Sequence, residues 1–410
     1  GTVFIIMAEI QKVYSYSTIN KTLTDISGSA IFSPTMDDPW ISFQYKDVYY
    51  ITNKKDGLYS WSGAGNVAAT ANAPKMRAAT IVKDHILGCD YQFGSGADHP
   101  QGIAWCAEAA VTTWTAASNN DAGAFDVDDT PDLCLTIEPL GQDSAILYKE
   151  RNIIPITWIG GNEVFARKQA IPGIGILGTD GIINLGDEHI IMGNDTFYVY
   201  RGGNDINGEI AIRIRDKVYP RLHPVYKNRV RSLIIEESRE ALFFYPDQLS
   251  TGFPNQCVIY NFEENTWYGP FPIGSRGVSK TGFSARAQSI FSAGVPDIAS
   301  TVAIIAADYP STTGGPVNLF TDSLRGCFKF DPLNQKDDTN DILRIAESGD
   351  HDLTHGLTSD LGTEVMLPAG SVVQIQRVNI GLVDDSTSGT INAYLGYRMD
   401  EHSSIKYEGP

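Results

Sequence analysis

Short apolar runs ending on an aromatic residue recur along this chain at nearly even spacing, and no other feature limits its fold as much. They are Leu58-Tyr59-Ser60-Trp61, Gly102-Ile103-Ala104-Trp105, Ile153-Ile154-Pro155-Ile156-Thr157-Trp158, Thr196-Phe197-Tyr198-Val199-Tyr200, Ala241-Leu242-Phe243-Phe244-Tyr245, Gln288-Ser289-Ile290-Phe291 and Cys327-Phe328-Lys329-Phe330. From one closing aromatic to the next the steps are 44, 53, 42, 45, 46 and 39 residues. One four-stranded propeller blade takes roughly 40 to 50 residues. A blade cannot bury both its faces alone, so blades stack around an axis and shield one another. The rhythm predicts an all-β chain whose main part is a β-propeller-like body of about six blades.

Glycine (39) and proline (20) interrupt the sequence too often for long helices, while 19 Tyr and 17 Phe suit pleated, half-buried surfaces. At 410 residues and 42% apolar composition the chain can build a large core and a second module. The expected division is an N-terminal segment over 1–30 that reads as incomplete, a propeller-like body over 31–334, a polar linker over 335–362 and a small C-terminal β-module over 363–410. The chain opens on Gly1 and closes on Glu408-Gly409-Pro410, which reads as missing sequence or processing. Val3 to Met7 is too short for a signal peptide, and no apolar run reaches the ~18 residues of a membrane span.

Four hairpins are legible. Val48–Thr52 turns through Asp56-Gly57 into Leu58–Trp61, and Ala145–Tyr148 turns into Ile153–Trp158. His189–Met192 turns into Thr196–Tyr200, and Cys257–Tyr260 into Thr266–Tyr268. Short loops between consecutive strands make each sheet a meander. In the C-terminal module, Val372–Ile380 and Thr390–Tyr397 alternate as strands around a Ser/Thr/Gly turn. Ala117–Asp132 reads as a long acidic loop, and Arg213–Arg231 as a helical segment cut by Pro220 and Pro224. Trp158 stands as a strand anchor of the core.

Few residues of this chain carry a pattern that chemistry requires. Asp126, Asp128, Asp129 and Asp132 could offer Ca²⁺ alternate oxygen ligands, but the central glycine and closing glutamate of an EF-hand are absent. A solvated acidic loop is the simpler reading. Asp37-Asp38 and Asp384-Asp385 read as turns. The seven histidines form no H-E-x-x-H pair; His351 and His355, four apart, fall in a loop-like segment. Gly173-Ile174-Gly175-Ile176-Leu177-Gly178 has the G-x-G-x-x-G shape, but no helix follows it to receive a phosphate. Five scattered cysteines (Cys89, Cys106, Cys134, Cys257, Cys327) form no C-x-x-C pair, so they read as free thiols in a reducing compartment. No catalytic, cofactor or metal residue is therefore predicted, and the chain reads as no enzyme.

The formal charge of −18, from 49 acidic and 31 basic residues, argues against a nucleic-acid coat and against adsorption to anionic membrane. It allows a surface that DNA slides past without sticking. Within this acidic chain Arg213, Arg215, Lys217, Arg221, Lys227, Arg229 and Arg231 cluster together. They read either as a subunit or DNA contact or as a solvated face with local salt bridges.

One ordered series spans most of the chain. It runs through Gly102–Trp105, Thr113-Trp114, Ala122–Val127, Ile137–Leu140, Leu147–Ile153 and Ile171–Gly175. It continues through Asp195–Gly203 and Val258–Trp267, and closes with Arg377–Ile380 and Tyr394–Asp400. This order resembles tailed-bacteriophage structural proteins of the tail nozzle, or tail tubular, type, over roughly residues 40–407. The resemblance implies a propeller-like protein of the virion tail, assembled in the host cytoplasm as a ring, typically a hexamer. It further implies a tail adaptor above, fibres or spikes at the sides, and genome DNA passing through without sequence-specific binding. It brings no catalytic residues and no cofactor. The alternative is a propeller that binds or cleaves host glycans, with Trp40, Trp105 and Trp114 stacking on sugars.

Overall fold

The computed structural model describes residues 4–8, 11–17, 20, 22–161, 163–203, 206–207, 212–236, 238–273, 278–284, 317–322 and 327–329, and short stretches at 336–337, 340–341, 357–358, 364–365, 395–397 and 406–408. The chain divides into two compact units, Gly1–Asn334 and Gln335–Pro410. Among the described residues the first unit holds seven antiparallel sheets, each a meander in chain order. Sheet 1 is β1 (Phe4–Ala8), β2 (Val13–Ser17) and β3 (Thr22–Asp25). Sheet 2 is β4 (Ile41–Tyr45), β5 (Val48–Thr52), β6 (Tyr59–Trp61) and β7 (Ala68–Ala69), and sheet 3 is β8 (Lys75–Val82), β9 (His85–Gln92), β10 (Asp98–Trp105) and β11 (Gly123–Asp126). Sheet 4 is β12 (Cys134–Leu140), β13 (Ser144–Lys149), β14 (Asn152–Trp158) and β15 (Phe165–Arg167), with β16 (Ile171–Pro172) also on β14. Sheet 5 is β17 (Ile182–Asn184), β18 (His189–Met192), β19 (Phe197–Tyr200) and β20 (Ile206–Asn207). Sheet 6 is β21 (Arg231–Ile235), β22 (Glu240–Tyr245), β23 (Gln256–Asn261) and β24 (Thr266–Pro272), and sheet 7 is β25 (Val278–Ser284), β26 (Val317–Asp322) and β27 (Cys327–Lys329).

The first strands lie side by side: β4 beside β8, β8 beside β12, β12 beside β17, β17 beside β21, and β21 beside β25. First strands therefore form the inner side of the array and later strands fan outward, which is the propeller-like arrangement. The body has one sheet more than the sequence rhythm suggests, because the first residues are part of it. Ile6, Ala8 and Val13 share a core with Trp40, Tyr49, Ile51 and Trp61 of the sheet 2 region.

Period-two alternation explains why these sheets stack. In sheet 4, Ala145, Leu147, Ile154 and Ile156 face sheet 3, against Leu87, Cys89, Ile103 and Trp105. Their neighbours Ile146, Tyr148 and Ile153 face sheet 5, against Ile191, Tyr198 and Tyr200. In sheet 5 the alternate residues Ile190, Met192, Phe197 and Val199 turn to Ala241, Phe243 and Tyr245 of sheet 6. Strands buried on both faces read as continuous apolar runs, which is why the runs stand out in the sequence. Each fully buried Ile, Leu, Val or Phe stabilises by roughly 1.5–3 kcal/mol, so the faces between sheets carry most of the stability.

The closing aromatics fall in register with this plan. Trp61, Trp105, Trp158 and Tyr200 each end the third strand of sheets 2 to 5, whereas Tyr245 ends the second strand of sheet 6. Gln288–Phe291 and Phe330 lie outside the described residues. All four expected hairpins form, as β5–β6, β13–β14, β18–β19 and β23–β24. Two expectations are corrected. Trp158 is not a core anchor: it is 36% exposed at the strand end, with the Lys83 ammonium 5.4 Å from its ring centroid. Ala117–Asp132 is not all loop, because Gly123–Asp126 pairs with β10 as β11. The helical segment is brief: α1 (Ile212–Val218) runs into a single 3₁₀ turn at Tyr219–Arg221. Pro220 lacks the N–H that a continuing helix needs.

In the second unit the described residues form three two-stranded ladders: β28 (Lys336–Asp337) with β29 (Asn340–Asp341), β30 (Leu357–Thr358) with β31 (Glu364–Val365), and β32 (Leu395–Tyr397) with β33 (Lys406–Glu408). The strand expected over Val372–Ile380 lies outside the described residues.

Candidate functional site

The structure divides the basic cluster by where each side chain comes to rest. Arg231, the first residue of β21, is 1% exposed. Its guanidinium donates to the Val230 carbonyl at 2.8 Å and the Met36 carbonyl at 3.1 Å, and Nε lies 3.5 Å from Asp180. Arg229 forms a two-pronged pair with Asp37, Nε to Oδ1 at 2.9 Å and Nη2 to Oδ2 at 3.0 Å. Those hydrogen bonds hold the Asp37 carboxyl below its usual range. Arg231 is therefore no surface contact, which corrects the sequence reading for it, whereas the half-buried Arg229 takes the salt-bridged alternative. Arg215, Lys217, Arg221 and Lys227 remain exposed, Arg215 with Asp216 at 3.1 Å. The Arg213 side chain lies outside the described residues.

Arg229 and Arg231 belong to a wider set of ion pairs at the inner strand ends. Arg77 on β8 reaches Asp38 at 2.6 Å and Asp90 at 2.8 Å, and Lys54 pairs with Asp90 and Asp98. With Asp37–Arg229 and Asp180–Arg231, this set joins the starts of sheets 2, 3, 5 and 6. Asp37-Asp38 do lie in a bend, as their sequence suggests, but they also carry these pairs. Nothing local could have shown the pairs, because Asp37 and Arg229 are 192 residues apart.

The other candidates disperse. Asp126 faces His99 at 3.0 Å, Asp129 pairs with Arg167 at 2.7 Å, and Asp132 sits 3.3 Å from the fully buried Lys149. Asp128 is exposed. The four aspartates do not converge, and among the described residues no group of three or more His, Cys, Asp or Glu is placed to hold a metal ion. Trp40, Trp105 and Trp114 are 4%, 7% and 1% exposed, so none offers a face to a sugar. Gly175 and Gly178 serve close chain approach: a Cβ on either would fall 1.9 Å from the carbonyl oxygen of Glu150 or Asn228. Cys89, Cys106, Cys134 and Cys257 are free and buried. Among the described residues no helix is long and apolar enough to cross a membrane.

One buried histidine couples sheets 4 and 5. His189 Nδ1 accepts from the Tyr148 hydroxyl at 2.7 Å, and Nε2 donates to the Pro139 carbonyl at 2.8 Å. Only neutral imidazole fills both roles. Burial accordingly holds its pKa at about 4. An unfolded histidine takes its proton near pH 6.5. Acidification from about pH 6.5 to 4 therefore favours the unfolded chain at this group, whose contribution to stability falls by about 3 kcal/mol. Half-buried Glu138 acts oppositely: burial raises its carboxyl to about 7, so its contribution weakens as pH rises from about 4.5. His189→Gln should flatten the acid limb, read as the difference in thermal midpoint between wild type and variant from pH 7 to 4. A difference independent of pH would refute the assignment.

Between the outer strands of sheets 3 and 4 lies an open groove of about 820 Å³. Its walls include Asp121, Phe125 and Asp126 on one side and Glu163, Phe165 and Arg167 on the other. Its floor is the Trp105 ring, edge-on to Phe125 and Phe165 at 5.6 and 5.3 Å. Gly123 permits this, since a Cβ there would lie 2.4 Å from the indole. The Trp105 N–H donates to the Asp121 carbonyl at 2.8 Å, fixing the loop that carries the carboxylate. No run of residues announced this groove, because its walls come from β11 and β15 on different sheets.

No protein-family model and no curated protein sequence matches this chain. Among solved structures it is similar to a virginiamycin B lyase from Staphylococcus aureus, at 12% identity and a TM-score of 0.41, over 80% of this chain and 94% of that one. It is also similar to the N-terminal domain of Nup159, at 6% identity and a TM-score of 0.41, over 79% and 84%. A functionally unknown protein from Desulfotomaculum acetoxidans DSM 771 aligns at 10% identity and a TM-score of 0.39, over 66% and 82%. Likenesses at this level carry no argument about function. The propeller-like architecture rests on the sheet order and on the contacts between first strands.

Proposed function

We propose that this chain is a structural virion protein of the tail nozzle type, a ring-forming component through which genome DNA leaves a short phage tail. The observation that carries this reading is the separation of its basic residues. The inner arginines are consumed in pairs that hold the body together, while Arg215, Lys217, Arg221 and Lys227 stay exposed on a chain of formal charge −18. An acidic protein with one basic segment is suited to meet copies of itself through opposite charge. The ordered resemblance described above supports the same reading and supplies the adaptor, the fibres and the virion location as further proposals. The inner ion pairs tie sheets 2, 3, 5 and 6 together, so a DNA channel would run between copies and not along the axis of one body.

Electron microscopy of the purified full chain tests this. A closed ring with an axial channel wide enough for duplex DNA is the expected result. A stable monomer at all concentrations would overturn it.

A further inference from the structure

The exposed basic segment and the acidic groove between sheets 3 and 4 are complementary, and the fold itself indicates what such a groove accepts. At the junction of sheets 5 and 6, α1 lies against β24 and inserts Ile214 and Val218 into the shared core. At the junction of sheets 3 and 4 no such element lies among the described residues, and the groove stays open beside β11 and β15. Both are terminal strands, each paired on one side only. The groove is acidic in balance: Asp121, Asp126 and Glu163 border it, Asp126 beside His99, and its cation Arg167 is already paired with Asp129.

We infer that the groove between β11 and β15 is the docking site for the basic segment Arg215–Lys227 of a second copy of this chain. Groove and segment lie at different sheet junctions, so the contact is heterologous, and repetition yields a ring or a filament. Lys217 and Arg221, four residues apart at the end of α1 and in the 3₁₀ turn, reach the groove carboxylates. Phe125 and the edge of Trp105 receive the aliphatic stems. The inference rests on the self-assembly reading and specifies its interface.

Charge reversal tests it in the full chain. One variant carries Asp126→Lys with Glu163→Lys, and the other carries Lys217→Glu with Arg221→Glu. All four positions are exposed, so circular dichroism and the thermal midpoint should match wild type. By analytical ultracentrifugation each variant alone should self-associate at least roughly tenfold more weakly. An equimolar mixture should recover assembly, because every contact in it again joins opposite charges. If wild type assembles and both variants assemble equally well, the groove assignment is wrong and the self-assembly reading survives. If the variants fail alone and the mixture fails too, the pairing is likewise wrong. If wild type is monomeric throughout, both readings fall together.

Discussion

Asp180→Ala should lower folding stability by about 3–5 kcal/mol, the usual cost of taking one partner from a buried ion pair. Arg231 lies at the start of β21 with a side chain 2% exposed, and Asp180 precedes β17 on the adjoining sheet. Burial already pushes the Arg231 pKa down, against the pull of Asp180. Loss of the carboxylate takes the charged partner at 3.5 Å from a guanidinium that also donates to backbone carbonyls inside the body. The loss should appear as a lower urea midpoint. A double variant, Asp180→Leu with Arg231→Met, should recover much of it, because an apolar pair of similar volume removes the desolvation cost along with the attraction. If Asp180→Ala unfolds at the wild-type midpoint, the pair does not support the inner side of the body.

Trp114→Ala should cost a comparable 3–5 kcal/mol. The indole is 1% exposed and lies among Tyr50, Met76, Ile86 and Cys106, between sheets 2 and 3. Its N–H donates to the Val111 carbonyl at 2.7 Å. Truncation opens a cavity and orphans that carbonyl, two penalties that add. Trp158→Ala is the natural contrast: its ring is exposed at a strand end, and about 1 kcal/mol or less should be lost. Equal losses at the two positions would mean that burial does not rank these tryptophans.

The two tryptophans show where sequence reading succeeds and fails. Trp158 ends a long apolar run and looks like a core anchor, yet the run leaves the core before reaching it. Trp114 follows a Thr-rich loop and carries no strand signal, yet it is buried because the loop after β10 folds back over sheet 2. The hairpins were legible because turn chemistry and alternation act within about ten residues. Sheet 1 went unread although Val13-Tyr14-Ser15-Tyr16 ends on an aromatic 45 residues before Trp61, because Lys12, Ser15 and Ser17 break its apolar run.

The candidate site was legible only as composition. Seven basic residues in one stretch identified a region of interest without separating its two jobs. Arg229 and Arg231 turn inward because their partners, Asp37 and Asp180, come from other sheets, whereas Arg215, Lys217, Arg221 and Lys227 face water.

The amino-acid order by itself determined an all-β chain of stacked meanders, because period-two alternation and short turns are properties of neighbouring residues. Only the tertiary structure decided which charges are spent inside the body and which groove is left open. Those outcomes depend on side chains from sheets distant in sequence, brought together when first strands align along the inner side and fourth strands spread apart at the rim.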